Sequence, residues 1–172
     1  MTRLSSEQPA LTRLNGNALL SPKVHIVNAD AFQWLEGNAE VFDVVIVDFP
    51  DPTNFSIGKL YTNSFYALLD RHLAASGYAV IQTTSPLVAR RSYWTVVSTL
   101  ESVGLRTAPY HTNVPSFGEW GFVVASRRPF SQISQLGQAR HMPPSLRSRH
   151  APTLPMLCAF PAALCSLPEP AH

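Results

Sequence analysis

An α/β fold built on a mostly parallel sheet with one antiparallel edge hairpin is the class this sequence predicts, on three observations. Strand-like and helix-like segments alternate from Val24 to about Arg127, the pattern of strands joined by crossover helices. The β-branched run Val44-Val45-Ile46-Val47 reads as a strand buried on both faces of a parallel sheet. The last two strand-like segments are joined by a short Gly- and Pro-bearing loop, which favours antiparallel pairing.

Taken in order, Met1 to Leu20 contain one helix followed by polar turn residues. Val24 to Asp30 is a short strand ending in an acid, and Ala31 to Gly37 makes one or two helical turns with Phe32 and Leu35 on one face and Gly37 as a stop. Phe42 to Asp48 is the central strand, stopped by Pro50 and Pro52. Leu60 to Ala75 sets Leu60, Phe65, Leu68, Leu69 and Leu73 along a helical stripe, with Gly77 as its stop. Tyr78 to Thr83 is the next strand. Ala89 to Val103 repeats the helical pattern through Tyr93, Trp94, Val97 and Leu100, closed by Gly104. Arg106 to Tyr110 and Gly121 to Ser126 are the two hairpin strands, joined by the loop His111 to Trp120. Beyond Arg128 prolines crowd and acids nearly vanish. Residues 1–128 are therefore expected to form one partial domain, and residues 129–172 a mostly irregular tail with short helical pieces near Met156 to Leu164.

Composition narrows the function classes. The 172 residues carry 45% hydrophobic content, enough for one core. A formal net charge of +2, with Lys and Arg scattered, does not suit a nucleic-acid partner. Cys158 and Cys165 lie in the tail at a spacing unlike a zinc or disulfide motif, so a reducing, cytoplasmic compartment is expected. No apolar run approaches the roughly 20 residues that span a bilayer, and the start lacks a secretory pattern. A soluble chain is expected. The six His residues show no HxxxH or HxH spacing, so no metal is expected. Ser85 lacks a GxSxG elbow and reads as a cap or turn residue.

Asp48-Phe49-Pro50-Asp51-Pro52 is the leading candidate site. Two carboxylates at the carboxyl end of a strand occupy the edge where open α/β sheets bind ligands. Asp before Pro is also ordinary turn chemistry. Like charges this close cost stability when partly buried, and a cationic amine would remove that cost. Asp30 ends the preceding strand on the same expected edge. It serves either as the cap of the helix at Ala31 or, with the Ala31 N–H, as an adenine-binding pair; the two roles are compatible. Tyr61, Phe65, Tyr66, Phe117 and Trp120 are candidates for an apolar slot beside the acids, with Phe65 assigned to the core.

These residues resemble a family. Phe42 to Pro52, followed by Leu60-Tyr61-Thr62 and Phe65-Tyr66, resembles the spermidine synthase family of polyamine aminopropyltransferases. Val27-Asn28-Ala29-Asp30-Ala31-Phe32 is similar to its adenine-binding segment, and Val114 to Phe122 to its late substrate loop. The details lean toward the bacterial branch whose full-length members carry a transmembrane region. The resemblance implies a Rossmann-like, methyltransferase-type sheet and aminopropyl transfer from decarboxylated S-adenosylmethionine to a diamine such as putrescine, with no further cofactor. It implies Asp48 as the base that frees the attacking amine, with Asp51, Tyr61 and Phe117 helping to bind the diamine, and Asp30 with Ala31 holding the adenine. The family's first strands, glycine-rich loop and ribose-binding acid have no counterpart here. The chain is accordingly expected to be a carboxyl-terminal part of the catalytic domain, with activity impaired by truncation. Two rivals stand beside this: a methyltransferase with a similar adenine site, and an inactive fragment acting through association, as a homo-oligomer or by an exposed sheet edge.

Overall fold

The β-branched run does form a strand, but at the rim of the sheet. The computed structural model describes residues 2–52, 54–116 and 118–130; the predicted tail helices, Cys158 and Cys165 therefore lie outside the described residues. The chain divides into two compact units, Met1–Trp34 and Leu35–His172.

In the first unit, α1 (Thr2–Glu7) and α2 (Pro9–Leu14) replace the single expected helix. Pro9 lacks an N–H, so it ends one helix and suits the first position of the next. Asn15 Nδ2 donates to the Ser5 carbonyl at 2.9 Å, and Thr2 Oγ1 to Asn28 Oδ1 at 2.9 Å. The strand expected over Val24 to Asp30 does not form. That segment pairs with no described strand, and Val24, Ile26 and Val27 are 41%, 40% and 47% exposed. Hydrophobic β-branched residues favour a strand only where a partner supplies the ladder. The segment runs into α3 (Ala31–Gly37), whose bounds match the sequence expectation.

In the second unit the described strands are β1 (Phe42–Val47), β2 (Leu73–Gln82), β3 (Arg106–Val114) and β4 (Gly118–Ser126), ordered β1-β2-β4-β3. The expected mostly parallel, Rossmann-like sheet is not what forms. Only β1 and β2 run parallel, whereas β2–β4 and β3–β4 are antiparallel. Alternating segments reveal elements but not the sign of their pairing. Because the hairpin inserts β4 between β2 and β3, β2 gains an antiparallel second neighbour. β1 is likewise no central strand: it occupies one end of the order. Val47 is buried at 5% exposure, whereas Val44 and Ile46 are 61% and 74% exposed, the alternation of a half-buried strand.

Between β1 and β2 lie α4 (Phe55–Gly58), a 3-10 turn (Lys59–Tyr61) and α5 (Asn63–Arg71). Thr62 caps α5, its hydroxyl accepting the Phe65 N–H at 3.3 Å. The helix ends earlier than its hydrophobic stripe suggests, because His72 is recruited elsewhere. Its buried ring faces the Glu40 and Leu35 carbonyls at 2.6 and 2.8 Å, and its own carbonyl accepts the Phe42 N–H at 2.8 Å. Leu73 thereby opens β2 opposite Phe42 instead of closing a helix.

α6 (Arg90–Ser102) follows β2. Phe65, Leu68 and Leu69 of α5 and Tyr93, Val97 and Leu100 of α6 are buried, together with Ala79, Ile81, Val123 and Ala125 of the sheet. Each such Leu, Ile or Phe contributes about 1.5–3 kcal/mol by leaving water. Tyr93 anchors α6 to the hairpin, its hydroxyl donating toward the carbonyls of Phe122 at 3.3 Å and Tyr110 at 3.4 Å. Its ring lies against Gly121, where an added Cβ would come within 2.4 Å of the ring and 2.7 Å of the Thr84 carbonyl. Gly121→Ala is therefore expected to cost about 1–3 kcal/mol of stability, as overpacking does. At Gly58 an added methyl meets nothing within 4 Å, so Gly58→Ala should change stability by less than about 0.5 kcal/mol. Denaturant melts compare the two, and equal midpoints would contradict the close approach.

Candidate active site

The acidic loop starts where β1 stops. Asp48 is exposed, Phe49 is half-buried and Pro50 exposed, because the Phe49 ring turns inward and meets Phe65 edge-on at 5.7 Å between centroids. Tyr61, at the end of the 3-10 turn, donates its phenol toward the carbonyls of Phe49 and Pro50, each 3.2 Å away. One hydrogen is thus shared between two long contacts. Gln82 Nε2, at the end of β2, reaches the same Phe49 carbonyl at 3.5 Å. Ties from two neighbouring elements therefore hold the backbone of this loop while leaving its carboxylates uncommitted. Neither Asp48 nor Asp51 has a hydrogen-bond or ion-pair partner among the described residues.

Both acids act on one hydroxyl. The Tyr61 phenol is pushed up to about 12, chiefly by burial and then by the negative charges of Asp51 and Asp48. The three sequence candidates Asp48, Asp51 and Tyr61 are thus brought together. Tyr66 lies behind them, fully buried, its hydroxyl without a partner among the described residues. Burial and then the neighbouring Tyr61 raise its pKa well above the ordinary tyrosine value. Phe65 and Tyr66 are core residues rather than walls of a slot.

Asp51 and Tyr61 border a cavity of about 260 Å³. Its other side is formed by Thr83 and Thr84, just past β2, and by Arg91, Ser92 and Thr95 in the first turns of α6. Ser85 sets that connection, its hydroxyl accepting the N–H groups of Leu87 at 3.3 Å and Val88 at 3.4 Å. The cavity residues from Thr83 onward form no motif that sequence reasoning finds. The signal available was positional: they follow β2 at the carboxyl end it shares with β1, the edge that bears the acids.

The remaining candidates fall elsewhere. Asp30 and Ala31 belong to the first unit, where Asp30 Oδ1 accepts the N–H groups of Phe32 at 3.0 Å and Gln33 at 3.2 Å. That is the capping role. Phe117 lies outside the described residues. Across the hairpin flanking it, His111 Nδ1 and Glu119 Oε1 form a close contact, and Trp120 is half-buried opposite Thr112. Among the described residues no three His, Cys, Asp or Glu side chains cluster to hold a metal, and no helix is long and apolar enough to cross a membrane.

Comparison with known proteins identifies the family. The model of the spermine/spermidine synthase domain matches residues 6–134, and the chain belongs to that family. It is 60% identical over 126 residues to polyamine aminopropyltransferase 2 of Ralstonia nicotianae, covering 73% of this chain and 25% of that protein. It is 52% identical over 129 residues to the polyamine aminopropyltransferase of Leptospira interrogans, covering 75% of this chain and 26% of that protein. The chain thus spans about a quarter of the length of these curated relatives. In fold it is similar to the crystal structure of spermidine synthase from Thermotoga maritima, with a TM-score of 0.68 at 21% identity, covering 92% of this chain and 53% of that one. A spermidine synthase in complex with the transition-state analogue AdoDATO gives a TM-score of 0.67 at 21% identity, over 91% of this chain and 56% of that one. The mixed sheet is therefore the spermidine synthase arrangement.

The raised Tyr61 pKa carries a sign. Below pH 10.0, the ordinary tyrosine value, folded and unfolded chains both keep the proton. Between there and about 12 the unfolded chain releases it first, so stability falls as pH rises through that window. Tyr61→Phe should flatten this part of the alkaline loss, and Asp51→Asn should lower the Tyr61 titration. Denaturant melts at several alkaline pH values measure the first and tyrosinate absorbance followed against pH the second, and a Tyr61 that ionises with exposed tyrosines would contradict the described contact.

Proposed function

We propose that this member of the spermine/spermidine synthase family carries the amine-activating part of an aminopropyltransferase site, moving an aminopropyl group from decarboxylated S-adenosylmethionine to putrescine. The observation carrying this reading is a pair of carboxylates on one tethered loop that have no hydrogen-bond or ion-pair partner among the described residues. A diamine arrives protonated at neutral pH. Two fixed negative charges attract it, and the Asp48 carboxylate takes a proton to free the lone pair. The nitrogen then attacks the propyl carbon beside the sulfonium. The new C–N bond forms as the C–S bond breaks, and the sulfur leaves with the electron pair as neutral methylthioadenosine. No acid is required for a thioether leaving group, so holding the reactants in line supplies much of the acceleration.

In this proposal Asp51, Tyr61 and Phe117 bind the diamine. Asp30 and Ala31 hold the adenine, Asp30 keeping its capping bonds as well. The segment corresponds to a carboxyl-terminal part of the catalytic domain, residues 1–128, followed by a tail over residues 129–172, in the bacterial branch with membrane-associated full-length members. The reaction is assigned to the cytoplasm. Self-association through the β1 edge is supported by its position at one end of the strand order and by exposed Val44 and Ile46.

Release of methylthioadenosine from the purified chain, supplied with both substrates, tests the proposal. Asp48→Asn is expected to lower kcat roughly hundredfold or more, and Asp51→Asn to raise the KM for the diamine. Equal rates for Asp48→Asn and the unaltered chain would remove Asp48 as the base, and no release at all would overturn the activity.

A further inference from the structure

The cavity beside the acidic loop carries opposite charges on its two sides. Asp51 borders it from the loop and Arg91 from the first turn of α6. Neither side chain has an ion-pair or hydrogen-bond partner among the described residues, so they are not paired with one another. Thr83, Thr84, Ser92 and Thr95 contribute uncharged hydroxyl-bearing side chains to the same lining. The Thr83 hydroxyl donates to the Thr84 carbonyl at 3.4 Å and the Thr95 hydroxyl to the Arg91 carbonyl at 2.7 Å, and all four groups are uncharged. Discrimination by charge therefore falls to the two ionic groups.

Arg91 also sits where helix stability disfavours it. The first turn of α6 contains Arg90 and Arg91 and no acid, although the positive end of the helix dipole favours carboxylates there. The dipole and the guanidinium have the same sign, so together they make the α6 side of the cavity repel cations.

We propose that Arg91 is a specificity-determining residue that limits the charge and reach of the amine acceptor. Two ammonium groups are matched by Asp48 and Asp51. A third one, extending along a cavity of about 260 Å³, meets the guanidinium and the start of α6. A diamine is admitted and a triamine is disfavoured. This inference rests on the amine-binding role of the two acids proposed above.

Calorimetric titration of the chain with putrescine and with spermidine tests it, comparing the unaltered protein with Arg91→Gln, Arg91→Glu and Arg91→Lys. Arg91→Gln is expected to tighten spermidine relative to putrescine by about fivefold, the scale of one partly exposed charge contact. Arg91→Glu should tighten it further, and Arg91→Lys should keep the original ratio. The Arg91 side chain is exposed, so melting temperatures should stay close, and Asp51→Asn serves as the control that weakens both amines. An unchanged ratio in Arg91→Gln and Arg91→Glu, with putrescine binding still dependent on Asp51, overturns the filter and leaves amine binding standing. An unaltered chain that binds neither amine overturns both.

Discussion

The candidate site depends on one shared hydrogen. The Tyr61 hydroxyl reaches the Phe49 and Pro50 carbonyls, and that contact fixes the loop through its backbone. The carboxylates remain available because the tether does not use them. Had Asp48 or Asp51 been held by its own side chain, its acceptor positions would already have been occupied. The arrangement has a cost: the phenol is partly desolvated and surrounded by negative charge.

A second constraint, at Gly121, positions the opposite side of the cavity. The Tyr93 ring fits against that glycine and its hydroxyl addresses two hairpin carbonyls. The first turns of α6 are thereby fixed relative to β4, and Arg91, Ser92 and Thr95 with them. The Thr84 carbonyl lies against the same glycine. One missing side chain thus lets a helix, a strand end and a connection approach closely. Packing that looks purely structural determines where the cavity's polar groups stand.

Much of this was legible in the sequence, unevenly. Segments defined by strong local signals formed close to their expected bounds, as α3 and α6 did, because caps, apolar spacing and glycine stops are local properties. Pairing was less legible. The Val44 to Val47 run suggested burial on both faces, yet edge placement exposes Val44 and Ile46, and residue type does not report how many neighbours a strand has. The helix-to-strand switch at His72 was hidden for a similar reason, since its determinants are the distant carbonyls of Leu35 and Glu40. In the site, Asp48, Asp51 and Tyr61 were visible through a compact motif. Thr83, Thr84 and Arg91 were not, because they become neighbours of the loop only when β2 is laid beside β1.

The two constraints also position the backbones that carry the cavity's opposite charges. An arginine and an aspartate in a small space would ordinarily approach, since even a partly exposed pair gains something by contact. Here the aspartate is on a loop tied down by Tyr61 and Gln82, and the arginine is on a helix fixed through Tyr93. Each backbone is held by contacts that leave the charged group out. Among the described residues the two side chains form no ion pair with one another. That is the structural condition for preorganisation in its electrostatic sense: the backbones carrying the two charges are positioned by contacts made during folding.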